Sequence, residues 1–231
     1  MRRLLLILLF GLIPSFGSGQ SAHSYEVSPF FGYFLGGTVL DRRLGDTAST
    51  VSQPRQHIGF DDGATFGLRA GYMMTRSFQI ELQASRSFND LVDRIHGLHN
   101  LDGTRAEPEA RIASFHTDYL MAFGTLHLGS GTTRPYLTLG AGAGRLDPGQ
   151  GQDVTHLAAG LGVGVKSYLR PHFGLRVDAR GYATPLSRRG LAFSCVENVQ
   201  SGPGGPVIPV ECPRRHWLIN GDVTGGVIVA F

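Results

Sequence analysis

The feature that most constrains this chain is the alternation of apolar and polar residues along it. Eight segments follow the pattern: residues 25–36, 64–74, 77–88, 112–128, 135–145, 156–169, 172–184 and 216–231. Strict alternation indicates a β-strand, because successive side chains of a strand point to opposite faces. These segments are long enough to cross a membrane, which takes about 9–11 residues of tilted strand. The sequence therefore predicts an all-β fold.

The connections between the segments alternate in length. Short links follow the second, fourth and sixth segments, long links span about 37–62, 89–111 and 185–215, and the link at 146–155 is intermediate. Tight turns on one side and long loops on the other are typical of outer-membrane barrels. In lipid an open sheet edge is not tolerated, so the last strand must pair with the first. We therefore predict a closed, eight-stranded, antiparallel up-and-down transmembrane β-barrel with both termini in the periplasm.

The charged residues indicate which strand faces point into the barrel. A soluble barrel is the alternative, but it would fill its interior with nearly every aromatic residue, and an eight-stranded interior is only just wide enough for side chains. Alternate glycines at 140–144 and 160–164 share the charged face and would leave room there for long side chains. We therefore predict apolar faces against lipid and a charge network in the lumen: Glu26, Arg69, Glu81, Asp118, Lys166, Arg176, Asp178, Arg180 and Asp222.

Two pairings are expected inside this network. The hairpin after the second segment places Arg69 opposite Glu81, and the hairpin after the sixth brings Lys166 within reach of Asp178. Charges of opposite sign are expected to pair there because an isolated buried charge is unfavourable.

The first residues have the features of an export signal. Arg2 and Arg3 precede a short apolar run at residues 4–13, which Pro14 interrupts before several small residues. This is the pattern of a secretory signal peptide. We predict that residues 1–22 are a signal cleaved near 19–22, and that residues 23–231 form one barrel domain.

Export bears on the cysteines, and the overall charge bears on partners. In an exported chain Cys195 and Cys212 are expected to form a disulfide, with two free thiols as the alternative. The formal net charge is +3, and no long basic run suggests a nucleic-acid partner. Arginine is well suited to phosphate groups. We therefore predict lipopolysaccharide contact at four arginines that bracket the cysteine loop: Arg188, Arg189, Arg214 and Arg215.

Several motifs and the last residue occur in an order that is typical of one family. The motifs are YEVSPFFGYFLGG, TFGLRAGYMM, SFQIELQASRS, RPYLTLGAGAG and LGVGVKSYLRPHFGLRVDARGYAT. Together they resemble the small eight-stranded outer-membrane β-barrel proteins of Gram-negative bacteria, which include the OmpA membrane domain. The resemblance implies that Phe231, with Val229 and Val227 on the same face, is a signal for the barrel-assembly machinery. The peptidoglycan-binding domain of full OmpA proteins is not expected here.

Two residue sets are candidate sites of chemistry. Ser114, His116 and Asp118 share one face of a predicted strand, but neighbours on such a face lie about 6–7 Å apart, too far for a direct proton relay. His96 and His99 would share a metal only on a helical segment, and we predict a surface loop there.

We therefore predict no catalytic residue, no metal site and no cofactor. The expected role is structural or surface-interactive, such as envelope integrity or adhesion, and the loops contain no motif that identifies an extracellular ligand. The alternatives are a lipid A-modifying enzyme and, less favoured, a narrow pore.

Overall fold

The computed structural model describes residues 24–43, 55–96, 98–99, 105–106, 109–147, 154–186, 198–200, 207–209 and 216–231. Its regular elements are all strands: β1 (Tyr25–Leu35), β2 (Thr38–Arg43), β3 (Arg55–Phe60), β4 (Gly63–Met73), β5 (Phe78–His96), β6 (Leu98–His99), β7 (Arg105–Ala106), β8 (Glu109–His127), β9 (Thr133–Asp147), β10 (Val154–Arg170), β11 (Phe173–Leu186), β12 (Asn198–Gln200), β13 (Val207–Pro209) and β14 (His216–Ala230). Among the residues described, no helix is long and apolar enough to span a membrane.

Eight of these strands form a closed ring. Their order is β5-β4-β1-β14-β11-β10-β9-β8, and β8 pairs with β5 to complete the circle. The seam lies between β1 and β14, where Tyr25 and Phe231 exchange two backbone hydrogen bonds of 3.0 Å. Closure satisfies the backbone groups that a sheet edge would expose to lipid. The predicted eight-stranded antiparallel barrel is therefore confirmed.

The wall of the barrel is taller on one side than the sequence pattern suggests. β5 and β8 each contain 19 residues, so both continue into the predicted loop at 89–111. β3 extends β4 outward, because it pairs with the outer part of β5, for example Phe60 opposite Leu91. β2 then pairs with β3. The predicted surface loop is accordingly shorter, and His96 is the last residue of β5.

In seven barrel strands the apolar set points outward, as the alternation predicts, but in β8 the assignment was wrong. Tyr119, Met121 and Phe123 of β8 point into the lumen and are almost completely buried. They fill the space left by the glycines of β9 and β10. A Cβ atom at Gly140 would lie 2.5 Å from the Phe123 ring, and one at Gly144 would lie 2.7 Å from the Tyr119 ring. The glycine columns thus make room mainly for the large side chains of β8.

Candidate functional site

A network of buried ion pairs fills the middle of the lumen. Arg176 donates to one oxygen of Glu81 at 2.7 Å, and Arg180 donates to the other oxygen at 2.6 Å. Asp178 accepts from Arg180 at 2.9 Å and from Arg69 Nη1 at 3.1 Å, and Arg69 Nη2 lies 3.0 Å from its other oxygen in an ion pair. These five side chains come from three strands, β4, β5 and β11, and are almost completely buried. Two carboxylates are therefore shared among three guanidinium groups, which compensates charge that burial would otherwise make costly.

A second cluster lies nearer the chain termini. Lys166 donates to Glu26 and, at 2.6 Å, to Gln79. The Tyr168 hydroxyl donates to the other oxygen of Glu26 at 2.9 Å. The predicted pairing of Lys166 with Asp178 was wrong, since the strand register places Lys166 opposite Arg176.

The expected partner of Arg69 also changes. The register places Arg69 opposite Gln83, not opposite Glu81. Its Nε atom lies 3.9 Å from Glu81, farther than its contacts with Asp178. The turn between β4 and β5 is two residues longer than expected. Each residue of β4 therefore faces a residue of β5 two positions farther along the chain.

From the ion pairs toward the end of the barrel remote from the chain termini, the lumen becomes less charged. The Tyr182 hydroxyl donates to Asp222 at 2.8 Å, and the Tyr182 ring stacks on Tyr119 with centroids 4.4 Å apart. At the end remote from the termini, six buried apolar side chains pack together: Phe34, Phe60, Leu91, Phe115, Leu146 and Leu218. We call these six residues the apolar cap. The lumen is thus filled by ion pairs, then by aromatic rings, then by the apolar cap.

Asp118, the ninth member of the predicted network, does not lie in the lumen. It belongs to the outer face of β8, where its two carboxylate oxygens each accept from Arg86 at 2.7 Å. The prediction was wrong because it assigned the inward face of β8 from the polar residues at the outer end of the strand. Leu120 and Leu126 lie on the same face as Asp118, and both are exposed on the outside of the barrel.

The candidate catalytic residues on the same strand are engaged elsewhere. Arg111 donates to the Ser114 hydroxyl at 2.6 Å and to Asp90 at 2.7 Å. The His116 ring contacts Phe88 edge-on at 5.0 Å. Ser114, His116 and the Arg86-bound Asp118 therefore lie on the outer wall with partners that do not form a relay.

Two arginines of this outer wall were missed by the sequence reasoning. Arg86 and Arg145 lie on either side of Asp118, on the neighbouring strands β5 and β9. The sequence does contain a signal for them. In each strand, alternate residues are apolar from the short turn onward, and this apolar series stops at the arginine. Such a change of polarity marks the edge of the lipid-facing band.

Other predicted site residues are described only in part or not at all. Phe231 is 65% exposed at the end of β14, and Val229 shares its outward face. Val227, two residues earlier on the same face, is half-buried. The predicted signal peptide at 1–22 and six further residues lie outside the described residues: Arg188, Arg189, Cys195, Cys212, Arg214 and Arg215. Within the described part of the chain, no group of three or more His, Cys, Asp or Glu residues could hold a metal ion.

A solved structure with a TM-score above 0.5 supports this fold. OprG from Pseudomonas aeruginosa is 14% identical with a TM-score of 0.53, covering 93% of this chain and 98% of that chain. Neisserial surface protein A is 14% identical with a TM-score of 0.49, covering 90% and 97%. The outer membrane protease OmpT from Escherichia coli is 8% identical with a TM-score of 0.46, covering 90% and 97%.

Sequence comparison gives the family. No curated protein sequence matches the chain. The model of the outer membrane protein beta-barrel domain family matches residues 12–190, which is more than half of the chain. The chain therefore belongs to the outer membrane protein beta-barrel domain family, and its barrel lies in the outer membrane.

Proposed function

We propose that the protein is a non-enzymatic outer-membrane barrel with a structural or surface-interaction role, in envelope integrity or adhesion. The observation that supports this proposal best is the filled lumen. Arg69, Glu81, Arg176 and Arg180 form buried ion pairs at its centre, and the apolar cap closes the end remote from the termini. An ion or solute would have to break several buried ion pairs to pass, which is costly because each break leaves a buried charge without a partner.

Liposome conductance tests the exclusion of a pore. Wild-type protein reconstituted at increasing protein-to-lipid ratios should give no current above that of protein-free liposomes. Unit conductance that scales with protein would contradict the filled lumen as the basis of the proposal.

The competing function is a lipid A-modifying enzyme. The outward placement of Ser114 and His116 would allow lipid to approach them, but Ser114 is bound to Arg111, and among the described residues no hydrogen bond to His116 supports a relay. Lipid A from cells with and without the gene should give the same mass spectrum. A change in acyl content would overturn the non-enzymatic assignment.

A deletion strain tests the structural role directly. Loss of the protein should raise uptake of a hydrophobic dye, and the wild-type gene should restore the barrier. A chain in which residues 190–213 are replaced by a tight turn keeps Arg188, Arg189, Arg214 and Arg215 and separates the two roles: it should restore the barrier while losing adhesion. Normal dye uptake and normal adhesion in the deletion strain would together refute the proposal.

Lipopolysaccharide and the barrel-assembly machinery are the partners we propose. Replacing Arg188, Arg189, Arg214 and Arg215 with glutamine should increase sensitivity to detergent and polymyxin, since arginine suits phosphate groups. Unchanged sensitivity would remove these four arginines from the proposal. The role of the terminal residues in assembly is tested below.

A further inference from the structure

We propose that the outer wall of the barrel holds one lipopolysaccharide molecule at a defined site, with a lipid A phosphate at Arg86 and Arg145 and an acyl chain in the groove beneath them. The site lies on β4, β5, β8 and β9, on residues different from the four loop arginines considered above. It rests on the proposed contact with lipopolysaccharide and names where on the wall that contact occurs.

The polar part of the site is a row across adjacent strands. Arg86 lies opposite Asp118, and Asp118 lies opposite Arg145. Thr155 of β10 continues the row beyond Arg145. All four side chains share the outward face, so hydroxyl and guanidinium donors are presented side by side to the surrounding lipid.

The next row toward the periplasm is apolar and alternates in size. Its members are Leu68, Ala84, Leu120, Ala143 and Leu157, each opposite the next on the neighbouring strand. The small alanine side chains leave a groove of about 660 Å³ on the wall, between Leu68 and Leu120 and directly below the polar row. A groove that is apolar at its base and polar at its upper edge matches an amphiphile with a polar head group above an acyl chain.

The height of the row agrees with the head-group level of the outer leaflet. Along β8, ten residues separate Leu128 at the short turn from Asp118, and along β9 ten residues separate Pro135 from Arg145. Ten residues rise about 33 Å along a strand, and a tilt of about 40° reduces this to about 25 Å across the bilayer. That is about the height of the apolar band of an outer-membrane barrel. The two arginines therefore lie where lipid A phosphates occur.

The exposed guanidinium groups of Arg86 and Arg145 favour an anion. Asp118 occupies two of the five donors of Arg86, and its side chain is only 22% exposed against 45% for Arg86. Arg145, whose side chain is also 45% exposed, lies 3.8 Å from Asp147. The carboxylates are less exposed than the guanidinium groups beside them, and the donors of Arg86 that do not contact Asp118 suit the oxygens of a phosphate.

Lipopolysaccharide retention by the purified, refolded full chain tests the site. The protein is folded in detergent with lipopolysaccharide or with phosphatidylglycerol, excess lipid is removed, and bound lipid per barrel is counted by native mass spectrometry. The double variant R86Q/R145Q should retain about fivefold to tenfold less lipopolysaccharide than wild type, as expected for lost charge-assisted hydrogen bonds. Heat-modifiable gel migration verifies that each variant is folded.

The matched control removes the same charge at the other end of the barrel. Arg76 and Arg170 are exposed beside the short turns, so R76Q/R170Q should retain lipopolysaccharide like wild type. A143F fills the groove without changing charge, and it should lower retention even if R86Q/R145Q fails to fold.

Three results would overturn the inference. They are equal retention by R86Q/R145Q and wild type, no effect of A143F, and wild-type retention of phosphatidylglycerol that equals that of lipopolysaccharide. The proposed function is tested separately, by dye uptake, conductance and lipid A spectra of the unaltered chain. Loss of the wall site would leave those measurements unchanged, so the two failures are distinguishable.

Discussion

Replacing Glu81 with glutamine removes the charge that two arginines share at the centre of the lumen. The variant keeps the shape of the side chain but leaves Arg176 and Arg180 without the carboxylate that lies 2.7 and 2.6 Å from them. Among the described residues, Asp178 would then be the one carboxylate within 4 Å of all three arginines, Arg69, Arg176 and Arg180. Removing one partner of a buried ion pair typically costs about 3–5 kcal/mol. We expect Glu81→Gln to lower the free energy of unfolding by about that amount.

Urea unfolding from lipid vesicles measures this loss. Trp217 is the single tryptophan of the sequence, and it is 59% exposed on the outer wall of β14. Its fluorescence should therefore report the transfer of the wall from lipid to water. Asp118→Asn is the matched control, because it removes the carboxylate partner of another arginine, on the exposed outer wall. Ion pairs in such positions contribute about 0–1 kcal/mol to the free energy of unfolding.

A double variant tests whether the loss of stability comes from the unpaired arginine charge. Glu81→Gln combined with Arg180→Gln removes one charge of each sign, so the loss should be smaller than the sum of the two single losses. A cost below about 1 kcal/mol for Glu81→Gln would refute the reasoning. It would mean that water screens the network, and the filled lumen would no longer argue against a pore.

Three further outcomes are expected. Gly164→Leu should abolish heat-modifiable migration, because a Cβ atom there would lie 2.5 Å from a neighbouring tyrosine ring; Gly225→Ala, where a Cβ atom meets nothing within 4 Å, should fold normally. Phe231→Ala should lower the amount of barrel inserted in cells while refolding in detergent stays normal. Trp217→Ala, at the other end of the same strand, should insert like wild type, and equal insertion of the two variants would contradict an assembly signal at the terminus. Leu91→Asn in the apolar cap should destabilise the barrel by at least about 2 kcal/mol without creating conductance, because the ion pairs below still fill the lumen; currents in liposomes would disagree with this.

The alternation of the sequence was sufficient to predict the barrel and most of its faces. In β11, Arg176, Asp178 and Arg180 all occupy one face, and a charge cannot be placed against lipid at low cost. The lipid-facing set of such a strand can be read directly. β8 lacks this asymmetry, because Asp118 shares a face with Leu120 while aromatic rings occupy the other face.

The partners inside the lumen could not be predicted to the same degree. Lys166 and Glu26 are 140 positions apart, and they meet because ring closure brings β10 and β1 to opposite sides of a narrow interior. Arg69 contacts Asp178 across the lumen for the same reason. Nearest-neighbour hairpin reasoning considers only adjacent strands, so it predicted other partners for both cations.

The sequence by itself determined the strand count, the alternating loop lengths and the inward face of every strand with charges on one side only. These properties follow from local chemistry, since each residue either tolerates lipid or does not. The tertiary structure decided the register of the hairpins, the pairing across the lumen and the inward face of β8. The physical reason is space: a closed eight-stranded ring has one narrow interior, and the volume left by the glycines of β9 and β10 selects which side of β8 can enter it.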